Sequence, residues 1–497
     1  MASFKRKLQR SQKRLMTTSL VSHDRKGKTL IPPIMKIQKM QRVSWMDDRL
    51  PEWLWAELLL VGLGRAKAIA VMKKAVEFWY GKPKDQQPYD ITHTGLASIP
   101  GEILREFLQK LCSDKASQQA LQPLLLFCPE LPGSAIWEEA LQGTAEPEMG
   151  DILAKAVLEV IDHQSQTATD CRWLRVFYWM VIGKLHERRD FAETLFDYPY
   201  AGDMTTVRPR IRETEMQLDF GAKPDLSWPK TFWRICMERT DCIPVDLSDN
   251  DAVLKSHVTK QEVTELVEKL KMHWDQTVND TDINPKRDTV FGIAFYCLSI
   301  LEELVQSGNS TGILGRSGIR SLVECYITLA YLTKKDQSDL WQAYRQYGTG
   351  QAKLSLLKLT EKVDLETSSV SVKDLEMLAN EDYWQEFLPI ELGNWGASNL
   401  RKLSEEAGVK DVYDALYDWP SGYIHGHWGA VRDSVFVTCA NPLHNFHRIP
   451  NNRRELNDVT ADAVVLVSMV LDLLDGSYPG FTERLPAPSA VESDKAK

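Results

Sequence analysis

The helical period of its apolar residues most constrains how this chain can fold. Long segments repeat apolar side chains every three to four residues, as one face of an α-helix requires. Residues 51–79 open with Pro and Glu, which favour a first helical turn, and predict two helices that meet near Gly62–Gly64. A later helix is expected to be interrupted near Gly348 and Gly350. Only 433–440, DSVFVTCA, alternates like a strand, so we predict an all-α fold with at most a minor β element there.

The length of the chain indicates more than one lobe. A chain of 497 residues exceeds what one hydrophobic core usually supports, so we expect a two-lobed irregular helical bundle. The segment 197–251 is rich in Pro, Asp and Gly and indicates a boundary near 250, after which Thr259 and Glu262 form a capping box. The predicted divisions are a basic N-terminal arm at 1–45, a helical lobe at 46–250, a helical domain at 251–480 and a disordered tail at 481–497.

Charge is distributed unevenly along the chain. The net charge of −9 consists of +11 in residues 1–42 and −20 in the remaining chain. A basic arm on an acidic body predicts contact with nucleic acid or another polyanion through residues 1–42. The alternative is an arm that docks on the acidic surface of the protein itself, because no aromatic residue lies among the charges between Phe4 and Trp45. A protein partner is a further expectation, and the oligomeric state is left open.

Cysteine usage and apolar runs bear on the compartment. None of the eight cysteines forms a CxxC pair, and several lie in apolar helical patterns, as buried free thiols do. Scattered free thiols are typical of a reducing cytoplasm. The longest apolar runs, 54–64 and 464–471, are too short to span a membrane, and the basic N-terminus is not followed by the apolar run of a secretory signal. We therefore expect a cytoplasmic protein that does not contact a membrane.

Common catalytic signatures are missing from the sequence. There is no glycine loop for phosphates after a strand, and no HExxH, GxSxG or kinase motif. Ser421 lies four residues before His425, which on a helix would place the two side chains on one face, yet no elbow motif marks an oxyanion hole. We expect no cofactor, and the sequence leaves open whether the protein is an enzyme.

Histidines concentrate near the C-terminal end. The segment SGYIHGHWGAVRDS, 421–434, holds His425 and His427, and His444 and His447 follow. Residues two apart on a helix point about 200° apart, so the first pair could share a metal only in an extended segment. No spacing selects the further ligands that a zinc site needs, and we therefore predict no metal site.

One helix carries charges inside an apolar pattern. In GRSGIRSLVECYITLAYL, Arg320 and Glu324 are spaced i,i+4, and Arg316 adds a second cation one turn earlier. A partly buried Arg–Glu pair needs further polar partners. We expect the histidine segment to supply them.

Three elements between about 285 and 475 resemble a bacterial family known only as a domain of unknown function. They are the GIRSLVECYITLAYL helix, the helix YRQYGTGQAKLSLLKL with Lys353, and DALYDWPSGYIHGHW, in which Tyr417, Ser421 and His425 form a Y-x3-S-x3-H pattern. The resemblance implies an all-helical fold and supplies no established reaction. Related helical families include toxin-like RNases that use an Arg and a His a few residues apart, and this chain departs from that pattern.

Three functional interpretations follow from these residues. In the first, an accessory protein of bacterial stress response or phage defence binds an anionic ligand through Arg320, Glu324, Lys353, Ser421 and His425. In the second, a nuclease-like or nucleotide-processing enzyme uses His425 as acid and base and Arg320 to stabilise developing charge. In the third, the five residues form a structural polar network that fixes helix register.

Overall fold

The computed structural model describes residues 20–490, apart from ten internal gaps. These gaps are 37–43, 186–188, 201–203, 219–224, 247–253, 279–280, 363–368, 383–384, 397–398 and 453. Much of the predicted polyanion-binding arm, 1–42, therefore lies outside the described residues. Its described part, 20–36, contains a short antiparallel hairpin with Asp24 opposite Ile31.

The described residues fold into 21 α-helices and a few very short strands. This confirms the predicted all-α fold with a minor β element. The chain divides into two compact units, Met1–Val245 with Cys439–His447 and Asp246–Thr438 with Arg448–Lys497. Compared with the predicted division at 250, the boundary falls a few residues earlier and residues 439–447 group with the first unit.

The first unit contains eleven of the described helices. They are α1 (Leu54–Leu63), α2 (Arg65–Glu77), α3 (His93–Ala97), α4 (Gly101–Leu111), α5 (Lys115–Leu121), α6 (Ser134–Leu141), α7 (Met149–Ile161), α8 (Gln166–Val181), α9 (Arg189–Asp197), α10 (Met204–Gln217) and α11 (Ser227–Arg239). Its strands are β1 (Asp24–Lys26), β2 (Thr29–Ile31) and β3 (Pro244–Val245). The predicted break between the first two helices is present at Gly64.

Tryptophans dominate the core of the first unit. Trp55, Trp79, Trp137 and Trp173 are fully buried. Helix α8 is buried on nearly all sides, including its polar residues, which makes it the central helix of this unit. A 3₁₀ turn at Pro442–His444 belongs to the same unit, and its Leu443 lies in the same apolar core.

The second unit contains the remaining ten described helices. They are α12 (Lys260–Thr277), α13 (Pro285–Ser307), α14 (Ile313–Lys335), α15 (Ser338–Lys362), α16 (Val372–Ala379), α17 (Leu400–Ala407), α18 (Lys410–Leu416), α19 (Asp418–Ile424), α20 (Trp428–Val435) and α21 (Thr460–Ser477). The strands after β3 are β4 (Leu254–Lys255), β5 (Phe436–Cys439), β6 (Arg448–Pro450) and β7 (Ser489–Ala490). Helices α13, α14 and α21 pack on one another and supply most of the core.

Local signals set several boundaries in the second unit. The capping box is present, because Thr259 and Glu262 bond to each other's backbone at the start of α12. The predicted strand is confirmed from Phe436, where β5 pairs with β6 and Val437 lies opposite Ile449, but Asp433 still belongs to α20.

Two expectations for the second unit were wrong. Helix α15 is not interrupted but continues through Gly350. A Cβ at this position would lie 3.0 Å from the carbonyl oxygen of Pro389, so the close approach of the neighbouring backbone explains the glycine. Disorder from 481 was also wrong for 481–490, since Phe481 and Leu485 are buried in the core and β7 pairs with β4. Residues 491–497 of the predicted tail lie outside the described residues.

Among the described helices, none combines the length and apolar character that crossing a bilayer would take.

Candidate functional site

Helix α14 presents a row of polar side chains to the segment that leads into α19. Arg320 Nη2 lies 3.0 Å from Glu324 Oε1, one helical turn away. The same nitrogen donates a hydrogen bond to Tyr417 Oη at 2.9 Å, and Tyr417 Oη donates to Glu324 Oε1 at 3.2 Å. The guanidinium also lies over the Tyr417 ring, 5.1 Å from its centroid. We call these three residues the Arg320 trio, and each of its members is bonded to the other two.

The other predicted site residues have different surroundings. Lys353 Nζ donates to the backbone carbonyl of Leu388 at 2.8 Å. Ser421 lies within α19, and its carbonyl accepts the backbone N–H of His425 at 3.2 Å. His425 is exposed, and its ring stacks on that of His427 with centroids 5.8 Å apart. The structure thus brings Arg320 and Glu324 together with Tyr417, whereas the ring of His425 contacts the ring of His427.

Gly426 in the histidine segment forms a turn between two helices. Gly426 adopts a positive φ of 59°, which favours glycine, and the backbone N–H of His427 donates to the carbonyl of Gly422 at 2.9 Å. Helix α19 therefore ends at this turn and α20 begins directly after it. His425 and His427 lie side by side on the exposed turn.

A cavity of about 320 Å³ opens one turn before the trio on α14. Arg316 lies in its wall and donates to the carbonyls of Ser310 at 3.1 Å and Asn457 at 2.5 Å. Its guanidinium is 5.9 Å from the centroid of the Tyr423 ring, and Tyr423 Oη donates to Asp433 Oδ2 at 2.5 Å. This wall of the cavity is therefore held by hydrogen bonds within the protein.

Two more arginines and an indole also line the cavity. Arg454 donates to Asp246 at 3.2 Å and to Asp433 at 3.0 Å, so both carboxylates of the cavity hold this cation. Arg432 is exposed on α20, and within the described residues no hydrogen bond or ion pair engages its guanidinium. Trp419 is 59% exposed beside it. Three cations and two anions leave the cavity with a net positive charge.

Burial and charge fix the protonation states in this wall. Burial, followed by the hydrogen bond to Asp433, raises the pKa of Tyr423 to about 12, so its hydroxyl stays neutral at physiological pH. Burial lowers the pKa of Arg316 from its ordinary value, and its contact with Tyr423 opposes this. This wall of the cavity therefore carries a cation at Arg316 and a neutral phenol at Tyr423, both held by hydrogen bonds within the protein.

A second cluster lies in the first unit. The Sγ atoms of Cys242 and Cys439, Nδ1 of His444 and Nε2 of His447 all lie within 4.8 Å of one another. The sequence prediction of no metal site missed this cluster, because it treated the cysteines as separate buried thiols. The available signal was the spacing Cys439-x4-His444-x2-His447, but Cys242 lies about two hundred residues away and only the fold reveals it.

Comparison with known proteins locates the predicted resemblance. Residues 301–441 match the model of a family of unknown function, DUF5677. The DUF5677 segment includes the Arg320 trio, Arg316 and Arg432, whereas Arg454 lies outside it. No curated protein and no solved structure matches the chain. The match confirms the predicted resemblance to a domain of unknown function, over a narrower range than 285–475.

Proposed function

We propose that the protein is a binding or accessory protein whose second unit holds a small anionic ligand in the cavity beside Arg432. The observation that carries this proposal is the state of the three arginines. Arg316 and Arg454 are engaged by carbonyls and carboxylates, while no hydrogen bond or ion pair within the described part of the chain engages the guanidinium of Arg432. A guanidinium with free N–H groups suits a carboxylate or phosphate, because it can donate two parallel hydrogen bonds.

The exposed indole narrows the class of ligand. Trp419 offers a flat apolar face at the cavity, and Gly429 packs beneath it, since a Cβ at that position would lie 3.4 Å from the ring. Planar rings stack on such a face, and bases stack on aromatic side chains in many proteins. An anion that carries a planar ring, such as a nucleotide, fits both features.

The proposed ligand site differs from the five residues that the sequence suggested, because none of them lines the cavity. The Arg320 trio is internally bonded, which supports a structural role for Arg320 and Glu324. The enzymatic alternative requires His425 and Arg320 to act on the same substrate. In the structure the ring of His425 contacts that of His427, and Arg320 bonds to Tyr417. None of the eight cysteines, all of which lie within the described residues, forms a disulfide, which supports the reducing cytoplasm that we propose as the compartment of the protein.

The experiment is a calorimetric titration of the full chain with ATP, GMP and inorganic phosphate. We expect saturable binding of the nucleotides that weakens about 10–100-fold in Arg432→Ala, because a hydrogen bond to a charged group contributes about 1.5–3 kcal/mol. The control is Arg401→Ala, since Arg401 is exposed in the same unit and pairs with Glu405 one turn away. Absence of binding, or equal loss in both variants, would contradict the proposal.

A second variant tests the contribution of the ring. Trp419→Ala should weaken binding of the nucleotides and leave binding of inorganic phosphate unchanged. Equal affinity of the wild type for phosphate and nucleotide, together with no effect of this variant, would show that the site recognises only the anion. Chemical change of the bound nucleotide during incubation would instead favour the enzymatic alternative.

A further inference from the structure

Four metal-ligating side chains converge within the first unit. Cys242 Sγ lies 3.2 Å from His447 Nε2 and 3.5 Å from His444 Nδ1, and Cys439 Sγ lies 3.4 Å from His444 Nδ1. All four residues belong to the first unit, three of them to the segment Cys439–His447. We propose that Cys242, Cys439, His444 and His447 bind one zinc ion.

The separations agree with tetrahedral coordination. Zinc lies about 2.3 Å from thiolate sulfur and about 2.0–2.1 Å from imidazole nitrogen, so sulfur and nitrogen ligands of one ion are about 3.5 Å apart. Three of the four sulfur–nitrogen pairs lie 3.2 to 3.5 Å apart, close to this value, and all four ligand atoms lie within 4.8 Å of one another. Two sulfur and two nitrogen ligands in a tetrahedral arrangement favour zinc over magnesium or calcium, which take oxygen ligands.

The hydrogen bond on the far side of His444 fixes its tautomer. Its Nε2 lies 2.8 Å from Thr240 Oγ1 and 3.1 Å from the Thr240 carbonyl oxygen. A carbonyl oxygen only accepts, so Nε2 carries the hydrogen and Nδ1 presents its lone pair to the two sulfurs. Such outer hydrogen bonds orient the histidine ligands of metal sites.

The backbone around the cluster holds the other ligands in place. The N–H of Ile243 donates to Cys439 Sγ at 3.4 Å, a bond that stabilises a thiolate. Asn441 anchors the turn, because its side chain accepts from the N–H of Leu443 and donates to the Asp241 carbonyl. The N–H of His447 then donates to the carbonyl of His444 at 3.1 Å, which returns His447 toward the cysteines.

The cluster has the character of a structural site with access from solvent. Four protein ligands fill a tetrahedral zinc ion and leave no position for a substrate, as in structural zinc sites. Cys439 and His444 are buried, whereas Cys242 is exposed and His447 is partly buried, so an ion can reach the cluster from that side. The ion would bind the segment 439–447 to residues after α11 and close a loop of nearly two hundred residues.

The first test uses the wild-type protein as purified. We expect about one zinc ion per chain by elemental analysis after dialysis, and tetrahedral thiolate bands in the absorption spectrum after exchange with Co²⁺. Alkylation mapped by mass spectrometry should leave Cys242 protected in the zinc-bound protein and modified after removal of zinc with a chelator. Alkylation of Cys242 at equal rates before and after chelation would overturn the proposal, as would a Cys242–Cys439 disulfide without bound zinc in the protein as purified under reducing conditions.

Variants then assign the ligands. Cys242→Ser and His447→Ala should each lose the bound zinc, whereas Cys128→Ser and His427→Ala, which lie outside the cluster, should retain it. Thr240→Val should weaken zinc affinity about tenfold without abolishing it, because it removes one hydrogen-bond acceptor of His444. Where a ligand variant fails to fold, the Co²⁺ spectrum and the alkylation pattern of the wild-type protein still show whether the cysteines of the cluster bind a metal ion. Full zinc content in Cys242→Ser and His447→Ala would overturn the assignment.

Discussion

Arg320 Nη2 donates a hydrogen bond to Tyr417 Oη at 2.9 Å, although 97 residues separate them in sequence. The tyrosine hydroxyl in turn donates a hydrogen bond to Glu324, so one phenol bridges a pair that would otherwise be a simple i,i+4 contact on α14. Arg320 is mostly covered by the protein, and its Nε has no hydrogen-bond partner among the described residues. The trio therefore depends on Tyr417.

Tyr417→Phe should destabilise the protein by about 1 kcal/mol, because it removes two hydrogen bonds and leaves the aromatic face under Arg320 in place. The expected fall in thermal midpoint is about 2–4 °C for a unit of this size. The control is Tyr413→Phe, since that ring stacks on Tyr417 while its hydroxyl makes no hydrogen bond among the described residues. Equal effects of the two variants would show that the trio adds nothing.

Glu52 should make stability depend on pH. Its carboxyl is buried and accepts hydrogen bonds from the backbone N–H and the hydroxyl of Thr94. Burial raises the pKa of Glu52 from 4.5 to about 7, against the lowering effect of the Thr94 bonds. Between these values the folded state binds a proton that the unfolded state has lost, so stability falls as pH rises from about 4.5 to 7 and is level above.

Glu52→Gln should therefore be more stable than the wild type above pH 7 and nearly equal to it below about pH 5. The gap should reach a few kcal/mol, since each pKa unit corresponds to about 1.4 kcal/mol. Thermal midpoints of both proteins across this range give the measurement, with the exposed Glu102→Gln as a control. A gap that does not change with pH would refute the assignment to Glu52.

Glu215 should contribute strongly to the stability of the first unit through its charge. It is 1% exposed and bonded to Arg49 and Arg175, with Arg172 3.7 Å away. Burial alone would raise the pKa of Glu215, but the three arginines hold it below its ordinary value. Its contribution to stability is therefore present above about pH 4.5 and lost on acidification.

Glu215→Gln should cost about 3–5 kcal/mol at pH 7, because it leaves buried arginines without their anion. Chemical denaturation measures the loss, and Glu213→Gln, exposed on the same helix, should change stability by less than about 0.5 kcal/mol. A small effect of Glu215→Gln would mean that the arginines find other partners.

The basic arm yields a prediction about nucleic acid. A protein lacking residues 1–42 should lose any salt-sensitive binding of nucleic acid that the full chain shows, because those residues carry a net charge of +11. Trp45 is buried and donates to the Val160 carbonyl at 2.7 Å, so the deletion removes the β1–β2 hairpin but leaves this buried contact in place. Gel-shift titrations at two salt concentrations measure the effect. A full-length variant with the twelve basic residues changed to Gln should lose the same binding, which separates loss of charge from loss of the segment itself. Unchanged binding after the deletion would place nucleic-acid contact elsewhere.

Local signals in the sequence predicted much of the fold. Apolar periodicity and the capping box at Thr259 act within one or two helical turns, and the structure has the expected helices at those places. The i,i+4 spacing of Arg320 and Glu324 likewise fixed their contact, because it depends only on helix geometry. The interruption expected at Gly350 was wrong because the reason for that glycine, the nearby Pro389 carbonyl, lies outside its own helix.

The sequence by itself determined the helical class and the helix that carries Arg320 and Glu324. It predicted that the histidine segment, 421–434, would supply their polar partner, but the partner that the structure provides is Tyr417. Tertiary structure alone decided which groups meet: Tyr417 with Arg320, Arg432 with the cavity, and Cys242 with His447 across 205 residues. The physical reason is that helix formation depends on neighbours a few residues apart, whereas a binding site depends on the path of the whole chain. Residues 439–447 return to the first unit by such a path, and no local pattern in the sequence encodes it.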